Sequence, residues 1–80
     1  MALTFIAKDP NTNGDNCPTV WVDREAGEFV IQGWKADETI TVQCLTDGPI
    51  PDSETVLRLP VRMAAALREA IDVAEGSALR

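Results

Sequence analysis

The stretch "TVWVDREAGEFVIQGW", residues 19–34, holds two strand-like runs separated by "REAG", four residues ending in Gly27. In the first run Val20 and Val22 fall on one side of a strand, and Thr19, Trp21 and Asp23 fall on the other. The loop is short and its glycine accepts a positive φ, so the two runs read as a β-hairpin over 19–34. A hairpin alone cannot bury its apolar side. The rest of the chain has to supply the cover.

Working outward, residues 1–7 read as an N-terminal strand, with the apolar run Leu3–Ala7 ended by "KDPNTNGDN". Asp9-Pro10 and Asn13-Gly14 are turn dipeptides. Beyond the hairpin, residues 35–46 are ambiguous. Ile40, Val42 and Cys44 alternate as in a strand, whereas Ile40 and Cys44 are also four apart and "ADE" could open a short helix. The strand reading is favoured. "DGPIPDSE" is a connection, and "TVLRLP" reads as a last strand closed by Pro60. Residues 60–75 then form an amphipathic helix, with Ala64, Leu67, Ile71 and Ala74 as its apolar stripe and Gly76 as its stop. Arg68 and Asp72 are i,i+4 neighbours on its polar side. Residues 77–80 read as a frayed tail. The expected fold is α+β: one small domain over 1–80, with an antiparallel sheet of three to four strands packed by one C-terminal helix.

Eighty residues, 45% of them hydrophobic, support only a modest core. A chain of this size hides about 60–65% of its unfolded surface and gains from a disulfide, a metal or a partner. The net charge is −6, and the bases are unevenly placed. Residues 1–57 carry three bases against ten acids, while residues 58–80 carry four arginines against three acids. Such a surface repels phosphate, so neither direct nucleic-acid binding nor docking on an anionic membrane is expected. A basic protein partner would be attracted. No apolar run is long enough to span a bilayer, and "MALTFIAKDP" lacks the basic start and long apolar run of a secretory signal. The reading is cytoplasmic, where thiols stay reduced, which argues against a Cys17–Cys44 disulfide.

Chemistry-bearing patterns are sparse. Cys17 and Cys44 lie 27 apart with no histidine in the chain, so neither a zinc set nor a cysteine–base pair can be assembled in the usual way. Cys17 reads instead as a small buried residue where a loop enters the core. The polar run "DPNTNGDN" resembles a calcium loop but puts Val20 where a bidentate Glu is required. No catalytic, cofactor or metal site is expected, and the chain reads as non-enzymatic. Trp21 and Trp34 are either core residues or interface anchors. One helix cannot cover both faces of a sheet, so a tryptophan is left to face a partner. The candidate partner-binding residues are Trp21, Glu25, Glu28 and Trp34.

"GDNCPTVWVDREAGEFVIQGW", followed by "TVLRLP" and an Ala/Leu-rich helix, resembles small actinobacterial proteins encoded beside helix-turn-helix regulators of the XRE type. The likeness covers residues 14–75 and includes the Asn16-Cys17 pair and the alternating valines. The chain departs from the commoner pattern in lacking a Ser-rich approach to the cysteine and an Arg-Asp step after the second strand. The resemblance implies an accessory factor that binds and modulates such a regulator, in control of development or antibiotic production. Some pairs of this kind look like toxin–antitoxin modules. A self-associating structural module, paired as a homodimer to complete its core, is the alternative drawn from size alone.

Overall fold

The computed structural model describes residues 3–11 and 17–76. Three strands form the main sheet in the order β1-β2-β3, antiparallel throughout: β1 (Leu3–Lys8), β2 (Thr19–Asp23) and β3 (Glu28–Gln32). The fold is α+β, as the pattern of elements implied. The hairpin closes through Arg24–Gly27 as expected. Asp23 Oδ1 accepts from the backbone N–H groups of Glu25 (3.1 Å) and Ala26 (3.0 Å), and Gly27 N–H donates to Asp23 O at 2.9 Å. Gly27 takes φ of 71°, the left-handed region in which a Cβ would be strained.

Register sets the two faces of this sheet. Val20 pairs with Ile31, Val22 with Phe29 and Thr4 with Val22, so these residues share one side. Between Phe5↔Trp21 and Ala7↔Val20 the register slips, placing both Ile6 and Ala7 against Val20. This bulge keeps two apolar residues on the inner side and restores alternation before Lys8. Val20 and Val22 are buried, and Met63, Ala66 and Ala70 from the C-terminal helix complete the core, with Ile6, Ala7, Leu67 and Val73 packed around them.

That helical segment begins with a 3₁₀ turn (Val61–Met63), continues as α2 (Ala64–Ile71) and ends in a π turn (Asp72–Gly76). Pro60 stands just before it in extended backbone and accepts from Met63 N–H at 2.9 Å. The buried stripe is shifted from the expected one. Met63, Ala66 and Ala70 face the sheet, whereas Ile71 is 44% exposed and Ala74 is exposed. Small side chains at 66 and 70 let the helix lie close on the valines, and this fit outweighs the larger apolar volume of Ile71.

The second strand of the hairpin is shorter than expected. It stops at Gln32, and after Gly33 the chain turns away to form β4 (Trp34–Lys35), which pairs antiparallel with β5 (Leu57–Arg58) in a separate two-stranded sheet. "TVLRLP" thus supplies only two ladder residues. A Cβ at Gly33 would lie 2.6 Å from Arg58 O and 2.9 Å from Leu57 Cδ1, so the approach of β5 requires glycine there.

Of residues 35–46, expected as a strand, only Lys35 belongs to one, at the end of β4. They contain α1 (Glu38–Cys44), opened by Asp37, whose Oδ1 accepts from Ile40 N–H at 2.9 Å. Thr41 adds a hydroxyl bond to Asp37 O at 2.9 Å. A side-chain cap satisfies donors that an unpaired strand in this place would leave to water. None of residues 33–60 is buried. The radius of gyration, 14.2 Å, exceeds the value of about 11.6 Å expected of a compact chain this long. The expected polar turn at 12–16, with Asn16, and the tail at 77–80 lie outside the described residues.

A candidate interaction surface

The side of the main sheet opposite α2 is built by the same register. Leu3, Asp23 and Glu28 align across the three strands at the hairpin end, Phe5, Trp21 and Val30 align at the centre, and Lys8, Thr19 and Gln32 align at the far end. The far end is closed. Cys17 O accepts from Thr19 Oγ1 at 2.7 Å and from Gln32 Nε2 at 2.9 Å, and Thr19 is buried. The centre is open: Phe5 is 56% exposed and Leu3 43%, while Trp21 and Val30 are half-buried. Large apolar groups in contiguous register on a free sheet face signal an interaction site more strongly than scattered ones do.

Of the residues singled out from the sequence, Trp21 and Glu28 stand on this outer face, and Glu25 sits exposed in the hairpin loop beside it. Trp34 does not join them. It is half-buried in the two-stranded sheet, because the chain leaves the hairpin at Gly33. Sequence reasoning missed Leu3, Phe5 and Val30. Leu3 and Phe5 are two apart, which would have marked them as one face had the strand been read by alternation rather than as an apolar run.

On the inner side, α2 lies against β1 and β2 and leaves Phe29 of β3 49% exposed. Phe29, Val22 and Ala74 line a cleft of about 340 Å³, edged by Arg24 and Glu28 from the hairpin. It presents Arg24 beside Asp23 and Glu28, with no thiol or hydroxyl nucleophile among its lining residues.

Cys17 stands at the entrance to β2 as expected but is half-buried rather than buried, and its carbonyl is the acceptor that ties the closed end of the sheet. Cys44 is a half-buried thiol at the end of α1. Among the described residues, no group of three or more His, Cys, Asp or Glu side chains is placed to hold a metal ion, and no helix is long and apolar enough to cross a membrane.

Asp9 supplies the principal buried charge. Its side chain has no solvent exposure and pairs with Arg62 through both carboxylate oxygens, from Nε at 2.7 Å and Nη2 at 2.6 Å. The contact ties the end of β1 to the first turn of the C-terminal helix. Comparison with family models, curated proteins and solved structures finds no match for the chain.

Proposed function

We propose that this chain is a non-enzymatic, acidic accessory protein of the cytoplasm that docks on a helix-turn-helix DNA-binding regulator and alters its activity, in control of development or antibiotic production. The observation that carries the docking reading is the open outer face, where Phe5, Trp21 and Val30 stand in register beside Asp23 and Glu28. The charge of −6 favours a basic partner surface, and the likeness to regulator-linked proteins points to the kind of partner. The test is capture from native cytoplasm by the tagged wild type and by Phe5→Ser and Trp21→Ala variants whose folding is checked by circular dichroism. Stoichiometric recovery of a helix-turn-helix regulator by the wild type, lost with either variant, is the expected result. Recovery of the regulator by all three proteins alike, or of none, sinks the reading.

A self-associating module is the second reading, favoured by the unburied segment 33–60, where Val42 and Leu45 are exposed on and after α1. It requires a melting temperature that rises with protein concentration. A monomer at micromolar concentration in sedimentation would exclude it.

A further inference from the structure

The outer face has the dimensions of one helix. Three strands about 4.8 Å apart span about 10 Å between the outer two, which matches the 10–12 Å diameter of an α-helix. Strands of five residues run about 17 Å, the length of about eleven helical residues. On the inner face of the same sheet the segment containing α2 covers β1 and β2. Adding a strand at the edge formed by β1 is less suited, because the bulge at Ile6 and Ala7 interrupts its ladder.

Charge narrows the occupant further. The open part of the face ends in Asp23 and Glu28, with Glu25 and Arg24 in the adjoining loop, three acids against one base, while Lys8 stands at the closed end. Resting on the docking reading above, we infer that the occupant is an amphipathic helix of another protein, its apolar stripe on Phe5, Trp21 and Val30 and its Lys or Arg residues gathered at the end that meets Asp23 and Glu28. The chain's own helices do not fit. Residues 36–57 contain no Lys or Arg, so α1 of a second copy, flanked by Asp37 and Asp47 and carrying Glu38, would bring acids to an acidic end. The apolar side of α2 is already spent on Val20 and Val22.

The test uses a full-length Trp34→Phe protein, in which Trp21 is the remaining indole, titrated with two synthetic helical peptides of about twelve residues. Both carry the same leucine stripe; one has arginines in its first turn, and the other has glutamates at those positions. The arginine peptide is expected to shift Trp21 emission to the blue and to bind at least about tenfold more tightly than the glutamate peptide. Glu25→Lys and Glu28→Lys together should reverse that order, and Phe5→Ser should abolish binding of both. Equal affinities for the two peptides, or binding indifferent to Phe5→Ser, overturn the inference. Regulator capture separates the two levels. Should capture depend on Phe5 and Trp21 while the peptides fail, the helix inference falls and the docking reading stands. Should capture also ignore these residues, both fall.

Discussion

Arg62 and Asp9 show what one contact does in a core this small. The guanidinium is held above its ordinary pKa, first by the hydrogen bond to Asp9 and then by the charge of Asp9, with desolvation opposing. A cation whose folded pKa is raised stabilises fully below its unfolded value and loses that contribution only as pH rises through the folded one, which for arginine means strong alkali. Near neutrality the contribution of the arginine is therefore independent of pH. Both arginines are exposed, but Arg62→Ala takes the guanidinium from a carboxylate that has no solvent exposure, so it should lower Tm more than Arg68→Ala. Thermal melts of both variants at pH 7 would check this, and equal deficits would refute it. Phe5 belongs to the opposite class. With 56% of its surface exposed, Phe5→Ser should cost stability no more than about 1 kcal/mol while removing the centre of the docking face.

Among the elements, α1 and the β4–β5 pair depend on local devices, since no side chain in 33–60 is buried. Asp37→Ala removes the acceptor for Ile40 N–H and should cost about 1 kcal/mol, confined to α1 and read as faster hydrogen exchange at Ile40 and Thr41. Gly33→Ala places a methyl group 2.6 Å from Arg58 O, a backbone atom that cannot turn aside. The expected cost is about 1–3 kcal/mol. Its signature is loss of protection at Ala36 N–H, which donates to Val56 O at 3.3 Å. Protection at Val20 and Val22 should be unchanged. If those valine amides also loosen, the two sheets are one cooperative unit and the local account is wrong.

At the scale of the molecule, stability is concentrated where Val20, Val22, Met63, Ala66 and Ala70 meet. Val22→Ala should cost about 2 kcal/mol and lower Tm by roughly 10 °C, because a chain of this size has little other apolar burial to draw on. Amides of β2 should exchange only through global opening, and those of α1 through openings of much lower free energy. The α+β fold, the hairpin and its Gly27 turn, the N-terminal strand and the C-terminal helix were legible because each is written in local terms: alternation, turn chemistry and helical spacing. So was Trp21 as a residue on the side of the strand away from the valines. Residues 35–46 carried both periods at once, and the Asp37 cap made Glu38–Cys44 helical while Lys35 went to the short β4 ladder. The end of the hairpin at Gly33, the rotation of the helical stripe to Ala66 and Ala70, the separation of Trp34 from Trp21 and the open row of Phe5, Trp21 and Val30 were decided by tertiary structure. Each depends on how closely two segments distant in sequence approach one another, and spacing along a single chain does not contain that distance.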